Sequence, residues 1–234
     1  MGILRKIKEN KILNRFVRKN IKWSSKWSAK FHQFLINKWT TSGIIDCNFG
    51  PYKFKYYNKC DDGHLNYFYY DLPYHEKSDL NLFIELSKRS KVALDIGANT
   101  GLFSVLASIA NPNIKIHAIE PYSINSERMK INLSLNHSKN VTVHELAIGD
   151  KDGILQLYVP KDKSISDVSS FDGSLSKDYY PDVIMQASEV QIQTLDTFSN
   201  KNNIHVNLIK CDVEMFEMEV FKGADKVLRE DKPT

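Results

Sequence analysis

The chain has 234 residues, 42% hydrophobic and 26% charged, a globular composition that excludes whole-chain disorder, collagen and coiled coil. Three cysteines (Cys47, Cys60 and Cys211) with no Cys-x-x-Cys spacing argue against a disulfide framework or a zinc site, and no metal is expected. The net charge of +4 is uneven: residues 1–40 carry eleven Lys or Arg and one acid, Glu9, while the remainder is net −6.

No window reaches the ~18 uncharged apolar residues of a membrane span. Bases from Arg5 to Lys19 interrupt the apolar core that a secretory signal needs. The expectation is a cytoplasmic protein, peripheral at a membrane through its N-terminus.

Residues 1–40 form the first predicted region, a basic amphipathic helical extension. Trp23, Trp27, Phe31 and Phe34 recur at helical steps, with Lys22, Lys26 and Lys30 beside them. Such a helix packs on its own domain or on a second copy, or lies on an anionic membrane surface with its aromatics in the lipid boundary. A nucleic-acid partner is the least favoured reading, and the helix alone does not choose.

Residues 41–75 form a predicted aromatic β-hairpin region. Tyr52, Phe54 and Tyr56 alternate with Lys53 and Lys55, a turn is expected at Cys60-Asp-Asp-Gly63, and residues 65–70 are expected to return as the second strand. Residues 76–234 form the third region, opening with a helix over 79–89.

From Lys91 the rhythm is regular. Strands are predicted at 92–95, 114–119 and 141–146, with helices at 101–110 and 124–136 between them. This β-α-β-α-β alternation predicts an α/β fold, a Rossmann-like parallel sheet with helices on both faces. Residues 154–159 and 189–195 alternate and read as a hairpin joined by a long polar loop, 161–186. A strand over 206–210 and a helix over 216–228 complete the pattern.

Asp95-Ile-Gly97-Ala-Asn99-Thr-Gly101 lies between the first of these strands and its helix. Glycines there let backbone approach a ligand, and a helix N-terminus offers free N–H groups. The spacing is not the G-x-G-x-x-G of dinucleotide enzymes. An acid two residues before Gly97 would repel a phosphate and suit a ligand with a cationic part, such as the ammonium and sulfonium of S-adenosylmethionine. Glu120 ends the next strand, where a carboxylate accepts hydrogen bonds from both ribose hydroxyls.

These residues carry a family resemblance. Leu94-Asp-Ile-Gly-Ala-Asn-Thr-Gly101, Ala118-Ile-Glu-Pro121, Asn132 and Asn136, Glu145-Leu-Ala-Ile-Gly-Asp150, and Leu208-Ile-Lys-Cys-Asp-Val-Glu-Met-Phe-Glu217 with Lys222-Gly-Ala224 resemble the FkbM-type methyltransferases. These are a branch of the S-adenosylmethionine-dependent enzymes. The resemblance covers about 160 residues and implies O-methylation of a hydroxyl on a sugar, glycan or secondary metabolite. It implies cofactor contacts from Asp95, Gly97, Asn99, Gly101, Glu120 and Ala147. Asp212 is the expected general base and Glu214 the second choice, since both end the fourth strand, and attack by a poorly nucleophilic hydroxyl gains from proton removal.

Two departures stand out. Met215 occupies a position where the family usually has glycine. The sequence ends at Lys232-Pro-Thr234, where the family continues into further strands, so the sheet is expected to lack its last C-terminal strands. A non-catalytic cofactor-binding or scaffold protein is therefore the competing expectation. His144, flanked by apolar residues, reads as a packing histidine.

Overall fold

The computed structural model describes residues 11–24, 42–59, 65–70, 77–162, 171 and 183–234. They fall into two compact units, residues 1–77 and 78–234.

In the first unit, α1 (Lys11–Ser24) buries Ile21 and exposes Ile12 and Phe16. The expected aromatic stripe from Trp27 onward lies outside the described residues. Strands β1 (Ser42–Phe49) and β2 (Tyr52–Lys59) pair antiparallel, with Phe49 opposite Tyr52 across Gly50-Pro51. The pleat sends alternate residues to one face. Ile45, Cys47, Phe49, Phe54 and Tyr56 are buried, while Lys53 and Lys55 are exposed.

The predicted second strand is a correction: Leu65–Tyr70 is a helix, α2. The hairpin partner lies upstream instead, because residues 44–49 alternate and Gly50, at φ 54, makes the turn. Leu65 and Phe68 are three apart, both buried, and Phe68 meets Phe49 and Phe54 edge-on at 5.9 and 5.8 Å. An i,i+3 pair aimed at one apolar surface is a helical solution.

The second unit begins with α3 (Lys77–Ser87). It continues through β3 (Val92–Ile96), α4 (Leu102–Ala110), β4 (Lys115–Ile119), α5 (Ser123–Leu135), β5 (Val141–His144) and β6 (Ala147–Ile148). Then come β7 (Gly153–Pro160), β8 (Met185–Gln193), α6 (Leu195–Asn202), β9 (Leu208–Cys211) and α7 (Glu217–Lys222). The central sheet has order β5-β4-β3-β9 and every pairing is parallel. The α/β expectation therefore stands as the fold. Beside it, β7 and β8 pair antiparallel and β6 joins β8 in parallel.

Two apolar layers cover the central sheet. On one face Ala93, Ile116 and Leu208 pack with Phe83 of α3 and Ala107 of α4. On the other, Leu94, Ile96 and Ile119 pack with Leu195 and Phe198 of α6 and Val220 of α7. Each such Leu, Ile or Phe contributes about 1.5–3 kcal/mol by leaving water. Helix α6 is absent from the sequence-based expectation. Its cap is Thr194, whose side chain accepts from Thr197 N at 3.0 Å.

The expected 216–228 helix is interrupted. Helix α7 stops at Lys222, and its cap Gly223 has no room for a side chain, since a Cβ there would sit 2.0 Å from the Gly149 carbonyl. A π-helical turn over Val227–Asp231 follows, with Lys226 N and Val227 N donating to the Asp196 carboxylate. At the outer edge of β9, Thr234 N donates to Asn207 O and Thr234 O accepts from Ile209 N.

His144 on β5 pairs with His117 on β4. Their ring nitrogens are 3.0 Å apart, and both rings lie edge-on to Phe198. Burial first, and then the neighbouring His117, push His144 down to about 4; burial and Lys115 lower His117 as well. In an unfolded chain both would take protons near pH 6.5. Their stabilising contribution is therefore complete above that pH and is lost as pH falls towards 4. Melting temperature should drop less steeply between pH 6.5 and 4 in His144→Gln than in the wild type. Parallel curves would assign the acid sensitivity elsewhere.

Candidate functional site

In an open parallel sheet, ligands bind beyond the carboxyl ends of the strands, where the strand order reverses. Here that point is the end of β3. The chain runs from β3 to β4 and β5 on one side, then returns with β9 on the other.

The 95–101 loop is folded over this end by backbone bonds. Gly97 N and Ala98 N both donate to Ile119 O at 3.0 Å, and Gly101 N donates to Ala98 O at 2.8 Å. Gly97 and Gly101 have φ of 73 and 90, in the region open to glycine. A Cβ on Gly97 would lie 1.9 Å from the Asp212 carbonyl oxygen, and one on Gly101 would lie 2.6 Å from Met129 Cγ. The sequence assigned these glycines to the approach of a ligand. Within the chain they also allow close contacts, Gly97 with the end of β9 and Gly101 with α5.

Glu120 closes β4 and is 4% exposed. Its Oε2 accepts from Asn99 N at 2.9 Å and its Oε1 from Tyr122 N at 3.0 Å. The loop and the acid are thus directly bonded. Burial pushes the Glu120 carboxyl up to about 7, against the opposing pull of the two N–H bonds.

Asp95 lies within β3, fully buried, rather than on the loop. Its Oδ2 accepts from Ser104 Oγ of α4 at 2.7 Å, and its Oδ1 is 3.4 Å from Lys210 Nζ. Lys210 was missed by the sequence reasoning. It stands directly beside Asp95 in the β3–β9 register. Its ammonium donates to Gly97 O at 3.0 Å, lies 3.4 Å from Asp212 Oδ2, and sits 5.0 Å from the centre of the Phe103 ring. Burial works against this charge, but Asp95 and Asp212 outweigh it and hold Lys210 above the ordinary lysine range.

Asp212 has a largely exposed side chain. Glu214 is exposed too, and its carboxyl is pushed up by partial desolvation and then by Asp212 and Glu217. Glu214 and Met215 both have positive φ, 51 and 68. This explains physically why a glycine would suit position 215. The Met215 side chain points to solvent, 71% exposed. Ala147 is buried in β6 and paired within the three-stranded sheet, in register with Ile192.

The long 161–186 loop is described only in part. Its Phe171 packs against Phe216, ring centres 4.5 Å apart, and against the cluster of Tyr122, Leu157 and Val159.

Gly97→Ala should destabilise the domain by about 2–5 kcal/mol, combining overpacking against rigid backbone with left-handed strain. Met215→Gly should stabilise it by about 1 kcal/mol, by relieving strain at an exposed site. Urea denaturation of both variants checks the pair. Equal midpoints would mean that the backbone geometry assigned to these positions is wrong.

The family model of the methyltransferase FkbM domain matches residues 95–234. "Methyltransferase 1" of Beauveria bassiana is 28% identical over 143 residues, covering 56% of this chain and 57% of that one. The "31-O-demethyl-FK506 methyltransferase FkbM" of Streptomyces tacrolimicus is 21% identical over 155 residues, covering 57% of this chain and 59% of that one. The chain thus spans a little under three-fifths of these relatives. Among solved structures, a precorrin-6y C5,15-methyltransferase from Geobacter metallireducens aligns with 28% identity, 30% and 38% coverage and a TM-score of 0.27. The fold therefore rests on the sheet order seen in this chain, and the family on the model that matches most of it: the chain belongs to the FkbM methyltransferase domain family.

Proposed function

We propose that this chain is an S-adenosylmethionine-dependent O-methyltransferase acting on a hydroxyl of a sugar, glycan or secondary metabolite. The carrying observation is the bond between the loop and the acid: Asn99 N donates to Glu120 Oε2 where adjacent parallel strands end. The residues fit the cofactor. A carboxylate offers about four lone-pair sites; the Asn99 and Tyr122 N–H groups and the Asn125 side chain take three of those on Glu120, which leaves room for a ribose hydroxyl. An ionised Glu120 would repel a 2′-phosphate and suit an unphosphorylated ribose. An oxygen acceptor is supported by the relative named for a 31-O-demethyl substrate.

When bound, the cofactor would supply an electrophilic methyl group. Glu120 would fix the ribose, while Gly97, Asn99, Gly101 and Ala147 would line the cofactor side and the buried Asp95, paired with Lys210 and Ser104, would hold that end of the sheet in place. Asp212, exposed at the end of β9, would take the acceptor's proton, with Glu214 as the second candidate. Holding the acceptor oxygen in line would supply much of the acceleration. Phe171 and Phe216 would form an aromatic wall on the acceptor side.

Calorimetric titration with S-adenosylmethionine and S-adenosylhomocysteine tests the cofactor. Glu120→Ala should weaken binding by about 1.5–3 kcal/mol for each charge-assisted bond lost, with the fold checked by its melting curve. Unchanged affinity in a folded variant would remove the ribose assignment. Tight binding without turnover across hydroxyl acceptors would favour the non-catalytic cofactor-binding or scaffold alternative.

For the N-terminal segment we infer docking to an anionic membrane surface. Among the described residues no helix is long and apolar enough to cross a membrane. Support comes from the +10 of residues 1–40 and from Ile12 and Phe16, four apart on α1 and 82% and 65% exposed. Each Lys or Arg near an anionic leaflet contributes about 1 kcal/mol. Co-sedimentation should be strong with anionic vesicles at low salt, weaker at high salt and weakest with neutral vesicles. Equal, negligible pelleting with both vesicle types would leave the helix as a packing or oligomer surface.

A further inference from the structure

Lys210 touches both halves of the candidate site. Its backbone is on β9, beside Asp95 on β3, and its ammonium reaches past the strand end. There it meets the Gly97 carbonyl at 3.0 Å, Asp95 Oδ1 at 3.4 Å and Asp212 Oδ2 at 3.4 Å. The carbonyl is hydrogen-bonded and the two carboxylates lie at ion-pair distance. The three belong to different parts of the site: the first-strand loop, the core of the sheet and the acid beyond β9. The side chain is only 14% exposed, so little water competes for its donors.

A purely structural lysine would need only the Asp95 contact. Asp95 is fully buried, and a buried carboxylate requires a counterion or a proton. The Gly97 and Asp212 contacts go beyond that need. Asp212 is largely exposed, and water would solvate it without help. We propose that Lys210 is the positioning residue of this site, clamping the Gly97 carbonyl and the Asp212 carboxylate together so that loop and acid present one preset surface to the bound cofactor. The proposal rests on the S-adenosylmethionine-binding reading above and adds to it a residue that acts through its neighbours. Phe103 helps to hold the clamp, since its ring lies under the ammonium at 5.0 Å.

The clamp makes a specific prediction about coupling. If Lys210 acts through Asp212, then removing either end of the bridge releases the same constraint. Lys210→Gln and Asp212→Asn should each weaken S-adenosylhomocysteine binding by about tenfold, and the double variant should lose little more than either single one. Amide exchange at Gly97 and Ala98 should quicken in Lys210→Gln before any ligand is added. A lysine that only neutralises Asp95 would give losses that multiply in the double variant, with no change in Gly97 exchange on Asp212→Asn.

Should Lys210→Gln alone fail to fold, Asp95→Asn/Lys210→Gln removes the buried charge together with its counterion and carries the same expectation. Multiplying losses, or wild-type affinity and exchange in folded variants, would overturn the clamp. Absence of S-adenosylhomocysteine binding in the wild type would instead count against the cofactor reading, and the ligand-free exchange comparison still decides the clamp.

Discussion

A carboxylate at the centre of a parallel sheet is the constraint around which this domain is arranged. Asp95 is wholly buried on β3, and an uncompensated charge there costs several kcal/mol. Two side chains compensate it, from elements distant in sequence: the hydroxyl of Ser104 on α4 and the ammonium of Lys210 on β9. That pairing favours β9 beside β3, because only there does the register set Lys210 next to Asp95. Once β9 is in place, its end meets the Gly97 turn, and the absence of a side chain at Gly97 is what lets the Asp212 carbonyl approach. The sheet order, the loop shape and the position of the second acid thus follow from one buried charge.

The same economy governs the other side of β3. Ile119 O accepts both Gly97 N and Ala98 N, and Glu120 takes Asn99 N and Tyr122 N. Backbone donors of a tight loop must be paired when they leave water. Here they are paired by the strand end that brings the candidate ribose-binding acid. Loop conformation and acid placement are therefore one feature, and disturbing either moves both. Asn99 suits its left-handed position at φ 49, since asparagine tolerates that region better than most side chains.

Much of this domain was legible in the sequence, because parallel strands buried on both faces read as short apolar runs broken by helical periods. The adjacency of the 95–101 loop and Glu120 followed from that alternation alone. What was hidden depended on partners distant in sequence. Residues 65–70 are rich in the aromatics that favour strands, and Phe49 and Phe54 opposite Phe68 make the helix the better burial. The need for glycine at 223, just past Lys222, comes from the Gly149 carbonyl, 74 residues earlier. Helix α6 is short and polar, and its Thr194 cap gives a weak signal beside a strand that had just ended. Lys210 sits in an apolar run, Leu208 to Cys211, where a lone base reads as an outward-facing residue. Its meaning appears only when the register puts a buried acid beside it. The glycines of the loop were noticed for a sound reason, positive φ and close approach, but sequence cannot say what approaches.

Glu120 shows how such a site can bind at a cost to its own stability. Its carboxyl is pushed up to about 7 from the ordinary 4.5, chiefly by burial. The folded form therefore holds its proton more tightly than the unfolded chain does. The stabilising contribution is complete below pH 4.5 and is lost as pH rises through 7. At neutral pH, then, the ligand-free domain keeps a partly protonated acid supported by the Asn99 and Tyr122 N–H groups and the Asn125 side chain. Under the proposed reading, a ribose hydroxyl would add a further donor to the ionised form, offset its desolvation and draw the proton off. Part of the binding energy would then be spent on ionising Glu120. Affinity should therefore rise with pH up to the raised value, while the stability that Glu120 itself contributes falls over the same interval. A carboxylate with an ordinary titration would show neither trend, and the two opposite slopes together separate a binding acid from one retained only to cap a loop.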